Sequence, residues 1–247
     1  MAAASDKLGT AQLLYQRASL MGLKPAWVSP GGLFAITTDS GRRYVNSGCS
    51  VFNSHTSVSL AKNKYFTRLI CEEHGLPNIP FARPKAITAA AVFLDLHGKI
   101  IAKPVSGSGA RDIHIIETIP ELMELTHIEN YILEKYVAGK EMRYLILNGT
   151  VIGVHHSEYG VSVQEDRMLE RISLEPTDWD SDLMELALRT AKILDLKFAA
   201  VDFIITANNQ AYILEVNTAP GFKWFHAPTS GPVIDVAGLF LTAMIKD

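Results

Sequence analysis

The apolar positions of the chain fall into two rhythms, one near 3.6 residues and one near two. The helical rhythm runs over 10–21 and stops at Gly22. It returns over 58–74, where Leu60, Lys64, Thr67 and Cys71 follow one line and Phe66, Leu69, Ile70 and Glu73 another, before Gly75-Leu76-Pro77 ends it. Lys62, Lys64 and Arg68 ride on that helix, a placement that ordinarily marks a solvated face. Further helices are predicted over 88–97, from Thr118 to about His127, over 180–194 and over 235–246. Thr118-Ile119-Pro120-Glu121 reads as a capping box with Pro near the first turn. Asp180 caps the next helix, whose inward line is Leu183, Leu186, Ala187, Thr190 and Leu194. Strands are predicted at 33–37, 43–45, 99–104, 113–117, 131–135, 141–147, 150–156, 198–206 and 210–217. Asn148-Gly149 is the strongest hairpin signal among them. Residues 106–112, 157–171 and 218–234 read as loops, the second a long polar one of the kind that covers a site.

The last two strands bring polar residues into an apolar setting. Asn208-Asn209 between them tolerates the positive φ of a tight turn. With that pair at the turn centre, Ala207 meets Gln210, Ile205 faces Tyr212, Phe203 faces Leu214 and Asp202 faces Glu215. Opposed acids on neighbouring strands repel unless a cation lies between them. Asn217 shares the face of Glu215 because side chains alternate along a strand. Two carboxylates and an amide oxygen form a hard-oxygen set suited to Mg²⁺. The flanks, Phe198-Ala199-Ala200-Val201 and Tyr212-Ile213-Leu214, are too apolar for an ordinary surface hairpin.

Composition narrows the class. The 247 residues suffice for one large domain or two small ones. A net charge of −3 offers no basic field for nucleic acid. Cys49 and Cys71 are too few for a disulfide framework, which points to a reducing cytosol. No leader pattern opens the chain, and no apolar run approaches the ~20 residues that span a bilayer. The expectation is a soluble cytoplasmic protein with neither nucleic-acid nor membrane partners.

Two more stretches carry chemistry. Lys103 ends a strand, and Ser106-Gly107-Ser108-Gly109 follow; the glycines let backbone N–H groups approach a phosphate, and the lysine supplies a point charge. The stretch is neither a P-loop nor a dinucleotide fingerprint. Farther on, Glu134-Lys135-Tyr136-Val137 links two strands, and backbone groups at 135–137 can meet a planar base edge. Glu141 and Arg143, two apart, share one strand face.

In this order, a lysine strand with its Gly/Ser loop, then Glu134-Lys135-Tyr136-Val137-Ala138-Gly139-Lys140-Glu141, then Asp202, then Glu215-Val216-Asn217 before Pro220-Gly221, the chain resembles the ATP-grasp superfamily over about residues 58–247. Ala200-Val201-Asp202, the run from Glu215 to Gly221 and His226-Ala227-Pro228-Thr229-Ser230-Gly231 look most like its RimK-like branch, close in appearance to cyanophycin synthetase and the fused bacterial glutathione synthetases. The resemblance implies an α/β (α+β) fold with two α+β subdomains clasping ATP, 58–134 and 135–247, behind a reduced N-terminal lobe, 1–57. It implies that Lys64 and Lys103 contact the ATP phosphates while Ser106, Gly107, Ser108 and Gly109 close over them. Glu134, Lys135, Tyr136 and Val137 would hold adenine, and Glu141 the ribose. Asp202, Glu215 and Asn217 would bind two Mg²⁺, with Mn²⁺ as a substitute, and Arg143 would face the acyl phosphate, joining Lys103 as a catalytic group.

Three positions depart from the pattern. Glu141-Met142-Arg143 stands for Asp-x-Arg, Ala110-Arg111 lies where another Gly is usual, and Ala200 lies where D-alanine–D-alanine ligases carry Arg. The implied activity is a Mg-ATP-dependent carboxylate–amine ligase acting on an amino acid or peptide, with homo-oligomers common among such enzymes. A phosphotransferase or a non-catalytic nucleotide-binding module on the same scaffold stays open beside it. Of the remaining polar residues, His155 and His156 alternate, so at most one faces the site, and a structural role is the preferred reading. Arg167 and Arg171 offer themselves equally to a substrate carboxylate or to solvent. Phe222, Trp224, Phe225 and His226 read equally as a pocket wall or as packing under the final helix. Both cysteines read as inert.

Overall fold

The computed structural model describes residues 9–39, 41–46, 51–107, 112–157 and 170–246. Cys49, Ser108, Gly109, Arg167 and nearly all of the 157–171 loop lie outside them.

Mixed helices and antiparallel strands build three sheets. The N-terminal lobe is helix α1 (Thr10–Leu20) against β1 (Ala26–Ser29), β2 (Leu33–Thr38) and β3 (Gly41–Asn46). Strand β1 is absent from the sequence prediction: it is short, lies in a stretch rich in Gly, Ser and Pro, and pairs with a bulge between Trp27 and Ser29. The predicted helix over 58–74 is two helices, α2 (His55–Lys62) and α3 (Lys64–Glu73). Asn63 between them is extended, with φ −89° and ψ 102°, and its Oδ1 accepts the Phe66 N–H at 3.1 Å as the cap of α3. The break has a tertiary cause. Asn63 bridges to Ser106, and the Lys64 N–H donates to the Val105 carbonyl at 2.8 Å. The interruption therefore docks the start of α3 on the end of the Lys103 strand.

A second sheet has the order β4-β7-β5-β6, from β4 (Phe81–Ala82), β5 (Ile100–Pro104), β6 (His114–Ile116) and β7 (Tyr131–Lys135). Helices α4 (Ile87–His97) and α5 (Ile119–Glu124) accompany it, and Ala90, Leu94 and Leu122 pack on Ile100, Ile116 and Leu133. The predicted capping box is present at Thr118 and Glu121. The helix it opens ends at Glu124, and a 3₁₀ turn over Ile128–Asn130 precedes β7.

The third sheet is β10-β9-β8-β11-β12, built from β8 (Lys140–Leu147), β9 (Thr150–Ser157), β10 (Arg171–Ser173), β11 (Phe198–Ile205) and β12 (Ala211–Asn217). Asn148 and Gly149 take φ of 48° and 73°, the left-handed pair a two-residue hairpin needs. One face of this sheet (Tyr144, Ile146, Val201, Phe203) packs on α6 (Ser181–Ile193), which Asp180 caps. Ala61, Cys71 and Leu76 join that core, so the 58–76 stretch packs on the C-terminal sheet rather than on the second one.

The opposite face is divided. At one end Leu145, Leu147, Phe198 and Ala200 pack under α1, β2 and the last helix, α8 (Val236–Lys246), the short α7 (Lys223–His226) preceding it. At the other end the same alternation puts Arg143, His155, Asp202 and Glu215 in line across the sheet. The N-terminal lobe covers the apolar half and leaves the polar half as a site.

Candidate active site

The site begins with a bulge. Asp202 pairs with Glu215 as predicted, but Phe203 pairs with Ile213 and Ile205 with Ala211, a register shifted by one. The turn is longer than the predicted two residues: Thr206 N–H donates to the Gln210 carbonyl, and Asn209 alone carries the positive φ, 60°. The shift is absorbed at Leu214. The extra residue lets Ile213 and Val216 both enter the core while Glu215 and Asn217 turn to the other face.

Arg68 holds the bulge in place. It is 3% exposed, and its guanidinium donates to the carbonyls of Ile213 (2.6 Å) and Leu214 (2.9 Å), to Asn78 Oδ1, and to Glu134 Oε1 at 2.7 Å. Glu134, 2% exposed, also takes Lys103 Nζ on its other oxygen at 2.8 Å. The expectation of Arg68 on a solvated face is thus overturned. Burial alone would raise the Glu134 carboxyl, but the two cations hold it at about 2, so it is ionised at any working pH.

A cavity of about 340 Å³ opens between these groups and β12, lined by Lys64, Arg68, Gly107, Glu134, Glu215 and Asn217 among others. Lys64 Nζ donates to the Gly107 carbonyl at 3.0 Å, so the helix start and the Gly/Ser loop already touch across its mouth. Burial lowers the Lys64 pKa, and the Glu215 charge works against that shift. Ser106 and Gly107 are exposed, and Gly107 takes φ 147°. Lys64, Gly107, Glu215 and Asn217 therefore line one cavity, with Lys103 one ion pair away.

Arg143 forms a fork to Asp202, 2.6 Å from Nε to Oδ1 and 2.7 Å from Nη2 to Oδ2. Burial opposes its charge, but Asp202 and the nearby Glu215 and Glu141 keep it protonated. Glu215 is different: burial, then the charge of Asp202, raises its pKa, and Lys64 and Arg143 only partly offset them. Asn217 Oδ1 accepts the Ala219 N–H at 3.1 Å, which fixes the amide beside Glu215. The described residues hold no group of three His, Cys, Asp or Glu around one point, so a metal site here consists of two acids and an amide. That oxygen set, with one acid whose ionised form burial and Asp202 disfavour, fits a hard divalent cation.

The residues expected around adenine are only partly brought together. Glu134 lies between Arg68 and Lys103, its carboxylate spent on both. The Lys135 N–H donates to the Pro80 carbonyl and the Tyr136 N–H to that of Lys99, so two donors of the linker are spent within the fold. Glu141 lies in a second, smaller cavity with Arg143 and Asp202. His155 lines that small cavity as well, and Phe225, fully buried, packs against its ring at 4.9 Å. Asp202 lies where the two cavities adjoin, paired with Glu215 of the larger one.

The chain is similar to known proteins in sequence and in fold. Residues 93–243 match the model of the RimK-like ATP-grasp domain. A D-alanine–D-alanine ligase of Aquifex aeolicus is 30% identical over 138 residues, 49% of this chain and 46% of the relative. A probable alpha-L-glutamate ligase of Rhodopirellula baltica is 24% identical over 208 residues, 78% of this chain and 49% of the relative. The chain thus spans about half the length of these curated relatives. Among solved structures, the ATP-grasp ligase PsnB complexed with minimal precursor, Mg and ADP superposes with a TM-score of 0.63 at 20% identity, over 79% of this chain and 61% of that one.

Proposed function

The chain belongs to the RimK-like ATP-grasp family, and from that premise we propose that it is a carboxylate–amine ligase consuming Mg-ATP. The observation that carries the reading is that Glu215 and Asn217 share one cavity with the Lys64–Gly107 contact, while Asp202 pairs with Glu215 across the strands. Relatives named as alpha-L-glutamate and D-alanine–D-alanine ligases support an amino acid or peptide as the substrate class. In the proposed reaction a carboxylate oxygen attacks the γ-phosphorus of ATP, giving an acyl phosphate and ADP. An amine then attacks the acyl carbon, the amide bond forms, phosphate leaves, and the amine proton passes to solvent. Cations set in place beforehand are what let two anions meet.

Each residue has a task in this reading. Asp202, Glu215 and Asn217 hold the divalent ions, two Mg²⁺ or Mn²⁺ in their place. When bound, the metal neutralises the triphosphate and polarises the transferred phosphoryl group. Lys64 and Lys103 face the phosphates beneath the loop that begins at Ser106 and Gly107 and continues through Ser108 and Gly109. Arg68 and Glu134 act by positioning, since they fix Lys103 and the bulge of β12. Arg143, forked to Asp202 in this structure, would be freed to face the acyl phosphate were Asp202 to hold a metal ion. The backbone between Lys135 and Val137, Tyr136 included, remains the place for the base, and Glu141 is the candidate for the ribose. The division into a lobe over 1–57 and subdomains over 58–134 and 135–247 is retained for this function, as is a cytoplasmic homo-oligomer; no described helix is long and apolar enough to cross a membrane.

The test is ADP release against panels of acids and amines, with mass spectrometry of the product. Turnover that requires both substrates supports the ligase; ADP formation with no amine requirement would instead make the protein a phosphotransferase. Glu215→Ala should remain folded by circular dichroism and lose turnover by about 10²–10³-fold. Undiminished turnover in that variant would remove the metal assignment.

A further inference from the structure

The polar face of the third sheet does not end at Arg143. Two rows of cross-strand neighbours continue over β8, β9 and β10. One is Arg143, His155 and Ser173; the other is Glu141, Ser157 and Arg171. Directly opposed residues of antiparallel strands share a face, so all six project to the side of Asp202. The small cavity, about 70 Å³, is lined by members of both rows: Glu141, Arg143, His155, Ser157 and Arg171 beside Asp202.

This corner is built but unfinished. His155 is 3% exposed, and among the described residues neither of its ring nitrogens has a hydrogen-bond partner. The buried Oγ atoms of Ser157 and Ser173 and the buried Nε of Arg171 are in the same position. Unpartnered buried polar atoms on three buried side chains, His155, Ser157 and Ser173, and on the half-buried Arg171 are rare in one patch of a finished core, because each one forfeits its bonds to water. The fold keeps room for them. A Cβ at Gly153, two residues before His155, would come within 2.7 Å of the Phe225 ring, so the glycine admits the ring that walls the patch beside His155. Burial, with Arg143 and Arg171 nearby, pushes His155 down to about 2, which makes it a neutral donor of one hydrogen bond.

We infer that His155, Ser157, Arg171 and Ser173 bind a second carboxylate of the acid substrate, so that the substrate is a dicarboxylate. The deduction rests on the ligase reading, since that reading puts the reacting carboxylate at Arg143. The donors match: an arginine Nε–H, an imidazole N–H and two hydroxyls all suit a carboxylate, which only accepts. Arg143 and Asp202 cancel in their ion pair, and the Glu141 charge lies close to Arg171, so the corner would recognise the anion by its hydrogen-bond donors rather than by net charge. Neighbouring strands lie about 5 Å apart, so the second carboxylate would lie one to two strand spacings, about 5–10 Å, from the reacting one.

Isothermal titration of the whole chain, saturated with Mg²⁺ and AMP-PNP, tests this with malonate, succinate, glutarate and adipate against propionate, butyrate, valerate and hexanoate. One dicarboxylate should bind about ten- to hundredfold more tightly than the monocarboxylate of matched length. Arg171→Gln should erase that margin while AMP-PNP affinity is unchanged. Ser173→Ala, a smaller change in a buried place, should reduce it in a chain that still folds. Equal binding of the two acid classes by the unaltered chain overturns the inference and leaves the ligase reading standing. So does a margin that survives Arg171→Gln. If Arg171→Gln weakens AMP-PNP instead, the anion held there is the γ-phosphate and the second carboxylate is ruled out. Failure of the unaltered chain to bind AMP-PNP at all would sink the ligase reading itself, and the inference with it.

Discussion

Glu134, buried, and Glu215, half-buried, are carboxylates lining one cavity, and the fold treats them in opposite ways. Glu134 is flanked by Arg68 and Lys103 at 2.7 and 2.8 Å, and its proton is lost at about pH 2. Glu215 faces another acid, and burial makes it hold its proton more tightly than a free carboxyl. Desolvation pushes both carboxyls upward, so it does not account for the opposite directions. The protein completes one acid from its own cations; in the proposed function the other awaits a cation from outside. On that proposal the first is scaffold and the second a binding group, although both line the same cavity.

The scaffold half breaks with the largest effect. Arg68→Met removes the charge that meets both Glu134 and the bulge carbonyls of Ile213 and Leu214. Breaking a buried, hydrogen-bonded pair from one side costs about 3–5 kcal/mol, read from urea unfolding. A loss below about 1 kcal/mol, within the range of an exposed pair, would mean that Lys103 alone satisfies Glu134.

Acid titration separates the two carboxylates next. Glu134 ionises below its unfolded value, so its contribution is complete above about pH 4.5 and is lost as pH falls toward about 2. The shift from 4.5 to about 2 corresponds to about 3 kcal/mol. The stability difference between the native chain and Glu134→Gln should shrink across that interval and be flat above it. A difference still changing between pH 6 and 8 would place the titration on another group.

The two acids were not equally legible in the sequence. Asp202 and Glu215 follow from counting outward from Asn208-Asn209, and the pairing is right although the count is not. The true turn takes more residues, and the bulge at Leu214 restores the register before the acids are reached. The counting works because apolar alternation on both strands already fixes which face is core. Nothing local marks Arg68. Its partners Glu134 and Ile213 lie 66 and 145 residues away, and its helix spacing is that of any surface cation. The break at Asn63 was hidden for the same reason, since it is set by Val105 and Ser106 from the next sheet. His155 shows the limit of single-residue reasoning: the strand is predicted, but its burial beside Phe225 comes from α7, after β12. Cross-strand chemistry is legible where a hairpin joins the strands, and illegible where the chain returns from afar.

The smallest effect sharpens the contrast most, because its sign should reverse. Glu215→Gln keeps the shape and removes one of two facing charges. Like charges directly opposite on paired strands cost about 0.2–1 kcal/mol, so without metal the variant should be the more stable by that amount. The gain should appear as pH rises through the ordinary carboxyl range. A group whose folded pKa is raised favours the fold when protonated and loses that advantage once ionised. With Mg²⁺ and ADP the order should invert, since ligand binding to the native site adds RT ln(1 + [L]/Kd), about 2.7 kcal/mol at a hundredfold excess over Kd. A Gln variant less stable than the native chain in the absence of metal would show that Lys64 already completes Glu215. The difference between the two acids would then be one of degree, with both belonging to the scaffold.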